Sequence, residues 1–380
     1  MTPRVCRSLR LFVVIGALAG WGAPVAHADR LADQVGRWTE RIGGRVQHAP
    51  DPIAGLTDAQ LAGQRLVVGF DGRSAPAPLL HRIQAGELGG VILFTRNIGS
   101  RTQVRSLAAS FQAAADRAPG RRPVLVMVDQ EGGQVSRLPG PPRRSPAAVG
   151  DTGSMAVARR EGRATGRSLA GVGINVDLAP VVDVARPGTN MADLERSFGP
   201  RTGTVTRLAT AFAAGLRSSG VLSCAKHFPG LGRAQGDEDF HLNRIDVPLS
   251  RLRSVDEPPF VQTRTQLVMV STGVYPAVDH TPALFSRRIT TGELRDHLRF
   301  QGTAITDDLE VPAIARSGSA TARALGAARA GNDLLLFAHH AGNGFAAARG
   351  LRAALADGSL DRASFEEATR RTVDLRSTLR

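Results

Sequence analysis

The chain has 380 residues, of which 42% are hydrophobic, so it can bury the core of one large domain or two ordinary ones. Its formal net charge of +14 favours anionic polymers or lipid headgroups as neighbours. Nucleic-acid binding is disfavoured, because the arginines are dispersed, aromatic residues make up only 4% of the chain, and no helix-turn-helix or zinc-finger spacing is present.

The first 28 residues have the pattern of a secretory signal peptide. Three arginines precede a short apolar run, Leu11 to Gly20. Residues 26–28 read Ala-His-Ala, which has the pattern of a signal-peptidase cleavage site. The apolar run is too short to cross a bilayer, so we expect export without a stable membrane span. An uncleaved anchor is the alternative. Cys6 precedes the apolar run and is therefore no lipid-attachment site, and cleavage would leave Cys224 as a single buried thiol.

Residues 29–56 are polar with helical patches, and we interpret them as an exported N-terminal segment before a domain spanning residues 57–380. Thr57 and Gln60 have the spacing of a capping box, which predicts that a short helix begins there.

Eight short apolar runs follow, and most are separated by alanine-rich amphipathic segments. Such runs are typical of strands that are buried on both faces. They lie at Leu66–Phe70, Gly90–Phe94, Val124–Val128, Ile174–Leu178, Val221–Ala225, Leu267–Val270, Thr303–Thr306 and Asp333–Phe337. Helices are expected between them, and the helical segment Gly342–Arg380 is expected to cover the outside. Eight alternations predict an α/β fold, the (β/α)₈ TIM barrel, with an open doubly wound sheet as the alternative.

Polar side chains concentrate where these predicted strands end. The active site of a TIM barrel lies at the carboxyl ends of its strands, so these side chains are expected to meet. Carboxylates that bind hydroxyl pairs, placed beside cations, suit a polyhydroxylated substrate. The group comprises Asp129, Arg137, Arg196, Lys226, His227, Asp307 and Asp308. Lys226 is the only lysine in the chain, which indicates that a compact ammonium is needed there. Asp177 and Asp183 are interpreted as loop or cap residues.

Five sequence blocks resemble glycoside hydrolase family 3, specifically its single-domain β-N-acetylhexosaminidases. In family order they are GGVILFTRN (89–97), VDQEGGQVSRLPG (128–140), NVDLAPVVDV (175–184) with ERSFGP (195–200), KHFPGLG (226–232) and ITDDLEV (305–311). The resemblance implies a TIM barrel that acts on β-linked, N-acetylated sugars without a metal or organic cofactor. Little chain is left for the second domain of the β-glucosidase branch, so the resemblance covers the family's N-terminal barrel domain only.

The resemblance also implies roles for individual residues. Asp307 corresponds to the nucleophile of a retaining glycosidase. The groups that correspond to the family's sugar-binding set are Asp129, Arg137, Arg196, Lys226 and His227. A retaining enzyme needs a second group that protonates the leaving oxygen and later activates water. Nearby cations are expected to keep Asp307 anionic.

The sequence departs from the family where this acid/base is expected. The hexosaminidases usually carry an Asp-x-His pair four residues after the KHFPGHG-like turn. Here an ungapped alignment puts Asp237 and Asp239 at those two places, so a carboxylic acid would replace the imidazole. A two-residue shift instead makes Asp239 orient His241. The ungapped alignment is preferred, because Leu231 also replaces the usual histidine of the turn and adjacent acids raise one another's pKa.

These observations predict a secreted or wall-associated retaining glycosidase whose partner is a carbohydrate, with peptidoglycan-derived amino sugars as one source. Association with anionic cell-wall polymers is a further expectation from the charge. The alternatives are a β-glucosidase or β-xylosidase specificity, or a catalytically impaired sugar-binding barrel. A zinc site built from His227, His241 and an acid is disfavoured, because no HExxH motif or cysteine pair accompanies the two histidines.

Overall fold

The structure, a computed structural model, describes residues 51–379. The predicted signal peptide and most of the predicted exported segment lie outside the described residues. The capping box predicted for Thr57 and Gln60 is present. The Thr57 hydroxyl accepts a hydrogen bond from the Gln60 N–H at 3.3 Å, and the Gln60 side chain accepts one from the Thr57 N–H at 3.0 Å.

Eight parallel strands form the centre of the fold. They are β1 (Leu66–Val68), β2 (Gly90–Leu93), β3 (Leu125–Val128), β4 (Val176–Asp177), β5 (Leu222–Phe228), β6 (Leu267–Val270), β7 (Thr303–Thr306) and β8 (Leu335–Phe337). Each strand lies within or overlaps one predicted run. Strand β5 extends three residues further than predicted, and its register against β6 shifts between Ala225 and Phe228. Lys226 and His227 therefore lie in the end of a strand and not after it.

The sheet closes on itself. Neighbouring strands pair in the order β7-β6-β5-β4-β3-β2-β1-β8. The two outer strands then meet through a parallel bridge between Ile305 and Leu334, and the Thr306 N–H donates to the Leu334 carbonyl at 3.0 Å. The predicted TIM barrel is confirmed, and the open doubly wound alternative is wrong.

Helices surround the barrel. The longer ones are Asp58–Gln64, Ala77–Gln84, Arg101–Ala115, Pro146–Thr152, Met155–Ala170, Thr202–Arg217, Ala320–Ala330, Ala341–Ala356 and Arg362–Ser377. Short helical segments cover Asn190–Asp193, Leu249–Arg251, Leu252–Asp256, Pro258–Gln262 and Arg288–His297. Two hairpins extend the loops after β3 and β6, pairing Gln130–Gly132 with Val135–Ser136 and Val274–Tyr275 with Asp279–Pro282. No helix among residues 51–379 is long and apolar enough to cross a membrane.

Alternate residues of the strands point into the barrel, where they form a core distinct from the one under the helices. The free thiol of Cys224 lies in this inner core, as a small apolar side chain would. Its upper layer includes Ile92, Leu178 and Met269, which form the floor of the recess described below.

The C-terminal segment corrects one prediction. Its last helix does not only cover the outside, because Leu375 and Leu379 pack with the residues of the inner core. The Arg376 guanidinium lies beside the start of β3, donating to the carbonyls of Arg122 and Pro123 at 2.9 and 2.8 Å. The segment therefore closes the amino-terminal end of the barrel, opposite the carboxyl ends of the strands.

Candidate active site

A recess of about 230 Å³ opens at the carboxyl ends of the strands. Its wall holds most of the predicted site residues, which are Asp129, Arg137, Arg196, Lys226, His227, Asp237, Asp239 and Asp307. Asp308, which also belongs to the predicted group, lines the recess together with Glu131, Glu238 and His339. His241 is exposed and does not belong to this lining; its ring lies beside Gly236.

Buried carboxylates hold the two central cations of the recess. The Lys226 ammonium lies 2.7 Å from Asp129 and 2.6 Å from Glu131. The Arg196 guanidinium donates two hydrogen bonds to Glu131, at 2.9 and 3.0 Å, and one to Glu238 at 2.5 Å. Burial acts to raise the pKa of Glu131, but the charges of Arg196 and Lys226 outweigh it and hold that pKa well below its usual range. The cations are thereby fixed in position.

Asp183 orients His227. Its carboxylate lies 2.8 Å from the His227 Nδ1 atom and also accepts the backbone N–H groups of His227 and Leu231. Burial opposes a charge on the ring, yet the hydrogen bond and the charge of Asp183 raise the pKa of His227. The Nε2 atom faces Arg196 at 3.4 Å and Glu238 at 3.7 Å. Asp183 thus does more than the loop or cap role predicted for it.

Asp177 lies beneath the site. It is fully buried, and one carboxylate oxygen accepts the Gln130 N–H at 3.0 Å while the other has no hydrogen-bond partner among the described residues. Burial raises the pKa of Asp177 well above its usual value. Its contact with the loop after β3 is consistent with the structural role that the sequence predicts.

Asp307 follows β7 at the base of the recess. Its Oδ1 atom accepts the Asp308 N–H at 2.9 Å, while its buried Oδ2 atom has no hydrogen-bond partner among the described residues. Burial raises the pKa of Asp307 to about 6, although the charge of His227 acts in the opposite direction. The nearby cations therefore lower this pKa, as expected of them, but burial has the larger effect. The carboxylate is still mostly ionised at neutral pH, with one oxygen free for a ligand.

Asp239 lies at the mouth of the recess and is open to solvent on one side. Even so, burial of its remaining surface raises its pKa to about 7, and the charges of Asp307 and Glu238 add to the shift. Glu238 stays ionised, because the charges of Arg196 and His227 outweigh its burial and lower its pKa. Asp237 accepts the backbone N–H of Asp239 at 3.0 Å, so it holds the loop and not the Asp239 carboxyl.

Part of the rim of the recess is aromatic. The His339 ring stacks on Phe94 with centroids 6.2 Å apart, and its Nε2 atom lies 3.2 Å from Asp308. Arg137 lies over the other part of this rim, 5.4 Å from the Phe94 ring centre and 3.8 Å from Asp129. His339 is exposed at this rim and also contributes to the lining of the recess. Asp308 also accepts the Ala338 N–H at 3.0 Å, so it braces the chain just after β8.

The sequence did not reveal the roles of Glu131 and Glu238, which lie beside predicted site residues. Both are buried, and both bind Arg196. Two features of the sequence indicate such a role. Cations at the ends of buried strands need buried counterions, and these two acids are close in sequence to predicted site residues. A single group of three metal-ligand side chains exists among residues 51–379, and it lies outside the recess, at Glu257, Glu293 and His297.

Replacing Glu131 by Gln is expected to lower the free energy of unfolding by about 3 kcal/mol, since Lys226 and Arg196 would lose a shared counterion while buried. Urea denaturation at pH 7 measures this. The loss should shrink progressively as the pH falls below about 4, because the stabilisation from a carboxylate with a depressed pKa is complete above its unfolded-state pKa and disappears as the pH approaches its folded-state pKa. Glu366→Gln, at an exposed pair with Arg362, is the matched control and should change stability by less than about 0.5 kcal/mol. Equal effects of both variants would contradict the assignment.

Comparison with known proteins identifies the family. Residues 66–375 match the glycosyl hydrolase family 3 N terminal domain. A protein of Arthroderma benhamiae named an uncharacterized secreted glycosyl hydrolase is 37% identical, with 86% of this chain and 96% of the relative covered. A protein of Idiomarina loihiensis named beta-hexosaminidase is 31% identical, with 72% of this chain and 83% of the relative covered.

Solved structures agree. A family 3 beta-N-acetylglucosaminidase from Paenibacillus superposes with a TM-score of 0.81 at 31% identity, covering 85% of this chain and 63% of that one. This chain therefore spans less than two thirds of that enzyme. A beta-N-acetylhexosaminidase from Beutenbergia cavernae has a TM-score of 0.78 at 32% identity, covering 85% of this chain and 99% of that one. With the closed barrel and its carboxylate-lined recess, these matches show that the chain belongs to glycoside hydrolase family 3, as a glycosidase whose described residues form the family's N-terminal TIM barrel.

Proposed function

We propose that this chain is a secreted retaining glycosidase that removes terminal β-linked N-acetylated amino sugars through a covalent glycosyl-enzyme. The observation that carries the proposal is the buried, unpartnered Oδ2 atom of Asp307 at the base of the recess, which is available to an anomeric carbon. The names of the Idiomarina and Paenibacillus relatives, a beta-hexosaminidase and a beta-N-acetylglucosaminidase, support the choice of sugar.

In the first step, Asp307 attacks the anomeric carbon and the bond to the leaving oxygen breaks. Asp239, protonated, gives its proton to that oxygen, so the leaving group departs as an alcohol. In the second step, the ionised Asp239 takes a proton from water, the oxygen of that water attacks the anomeric carbon, and Asp307 is released. The pKa of Asp239, raised to about 7, supports this role, because near pH 7 both of its protonation states are populated.

The sugar-binding role falls to Asp129, Arg137, Arg196, Lys226 and His227. Asp129 and Lys226 are joined at 2.7 Å, so they present an acceptor and a donor side by side, which suits neighbouring hydroxyl groups. Arg196 and His227 are held by Glu131, Glu238 and Asp183, so they lose little freedom when a ligand binds.

A panel of aryl β-glycosides tests the proposal. The parent protein is expected to hydrolyse the N-acetylglucosaminide at least ~10²-fold faster, in kcat/KM, than the glucoside or xyloside. A preference for the glucoside or xyloside would move the assignment to those sugars. Binding of N-acetylglucosamine without turnover at any pH would instead indicate an impaired sugar-binding barrel, the alternative that the missing histidine of the acid/base pair favours.

The place of action is part of the same proposal. The name of the Arthroderma relative includes the word secreted, and the pattern of residues 1–28 agrees with export. The net charge of +14 supports association with anionic cell-wall polymers, where peptidoglycan fragments would supply N-acetylated amino sugars. Release of N-acetylglucosamine from a purified wall disaccharide, measured beside the aryl substrate, tests this source.

A further inference from the structure

A second cluster of chemically reactive side chains lies on the outer wall of the barrel, away from the recess. It joins Glu257, which follows the helical segment Leu252–Asp256, to Glu293 and His297 on the segment Arg288–His297. The ligand atoms of the three side chains all lie within 4.8 Å of one another. Glu293 and His297 are four residues apart, a spacing that puts two side chains on the same side of a helical segment.

Glu257 is the unusual member of the cluster. It is 0% exposed, and neither oxygen of its carboxylate has a hydrogen-bond partner among the described residues. A buried carboxylate without a partner is strongly unfavourable, so either a proton or a cation must occupy it.

The guanidinium of Arg253 gives Glu257 no hydrogen-bonded partner. Arg253 donates two hydrogen bonds to Glu293, both at 2.9 Å, and none to Glu257. These two bonds fix the orientation of the Glu293 carboxylate, as the hydrogen-bonded partners of ligating carboxylates commonly do, and each of its oxygens keeps a second lone pair. His297 is exposed, so it offers an imidazole at the solvent side and a path by which an ion could enter.

We propose that Glu257, Glu293 and His297 bind a divalent transition-metal ion, with zinc as its representative, that links two helical segments of the barrel wall. An imidazole nitrogen with two carboxylate oxygens is a ligand set suited to zinc and poorly suited to calcium or magnesium. Ligand atoms around tetrahedral zinc lie about 3.3 Å apart, so side-chain adjustments of roughly 1 Å would complete the site. These adjustments can come from the ring of His297, which is exposed, and from the carboxylate of Glu257, which has no hydrogen-bond partner among the described residues. The ion stabilises the fold and takes no part in hydrolysis.

Zinc chloride titrated into the chelator-treated full chain tests this site, with calorimetry and thermal unfolding as readouts. The expected result is one zinc per chain at the cluster and a rise in Tm of roughly 5 °C at about 100 times Kd. Glu257→Gln and His297→Ala should each weaken binding at least ~10-fold and abolish the rise in Tm. Glu257→Gln replaces a carboxylate without a partner by a neutral side chain of the same shape, so this variant is expected to fold.

Two histidine variants serve as controls. His280→Ala removes an exposed imidazole on the hairpin after β6, and His339→Ala removes the imidazole beside Asp308 in the recess. Both should retain the zinc-dependent rise in Tm. The inference is overturned if the parent chain does not bind zinc, if Glu257→Gln binds zinc as the parent does, or if the rise in Tm depends on His339 instead of His297. If Glu257→Gln binds zinc as the parent does, the buried carboxyl group of Glu257 is protonated in the parent and is not a zinc ligand.

Discussion

Asp239→Asn is expected to lower kcat/KM about 10²–10⁴-fold on an N-acetylglucosaminide whose leaving group is a sugar alcohol. An amide cannot supply the proton that such a leaving oxygen needs. On a dinitrophenyl glycoside, the leaving group departs without protonation, so the rate of the first step should change little. Hydrolysis of the glycosyl-enzyme, the second step, should become slow. A burst of dinitrophenol followed by a slow steady rate would report this change.

The pH profile gives a second measurement of the same role. The pKa values of about 6 for Asp307 and about 7 for Asp239 predict a bell-shaped profile of kcat/KM with a narrow maximum between them. Activity falls below pH 6 as the nucleophile gains a proton, and above pH 7 as the acid loses one. The two carboxyls interact, so the limbs report apparent values of the pair. With the dinitrophenyl glycoside, whose leaving group needs no proton, the alkaline limb should be absent from kcat/KM of the parent and of Asp239→Asn alike.

His241→Ala is the matched comparison, because His241 is the acid/base in the shifted alignment. Its exposed ring lies beside Gly236 and outside the lining of the recess, so we expect the variant to keep the kcat/KM and the pH profile of the parent within about twofold. If His241→Ala loses activity as severely as Asp239→Asn, the loop closes over the substrate and the two residues act as the Asp-His pair of that alignment.

Much of the barrel could be predicted because its signal is local. Strands buried on both faces must be apolar along their whole length, and each of the eight predicted runs contains or overlaps an observed strand. The packing partners of the last helix could not be predicted in the same way. Its sequence shows which face is apolar but not what that face contacts, and Leu375 and Leu379 pack into the inner core of the barrel.

The candidate site likewise has a part that could be predicted from the sequence and a part that could not. Residues at strand ends converge because the fold brings all eight ends together, which is why Asp129, Lys226 and Asp307 could be placed in one recess. Pairing of charges depends on distances that sequence spacing does not contain, so the roles of Glu131 and Glu238 as partners of Arg196 were missed. The loop from Arg233 to Leu242 contains no helix or strand, and spacing alone could not choose between Asp239 and His241.

Replacing Asp307 by Ala is expected to reduce hydrolysis of every aryl glycoside at least about 10⁴-fold, since the covalent intermediate can no longer form. The loss should persist with a dinitrophenyl leaving group, which separates it from the loss caused by Asp239→Asn. Stability provides the check on folding. A carboxylate whose folded-state pKa is raised destabilises the fold once ionised, so Asp307→Asn should unfold at the same or a higher urea concentration at pH 7.

Added azide distinguishes a nucleophile from a residue that only positions the sugar. In Asp307→Ala, azide can enter the vacated space and attack the anomeric carbon directly, giving an α-glycosyl azide from a β-glycoside. In Asp239→Ala, azide instead attacks the glycosyl-enzyme and gives the β-glycosyl azide. The exposed Asp296→Asn variant, at the outer wall, should hydrolyse substrate as the parent does and form neither product. If Asp307→Ala forms the β-glycosyl azide, or retains more than about a hundredth of the parent activity, another carboxylate is the nucleophile.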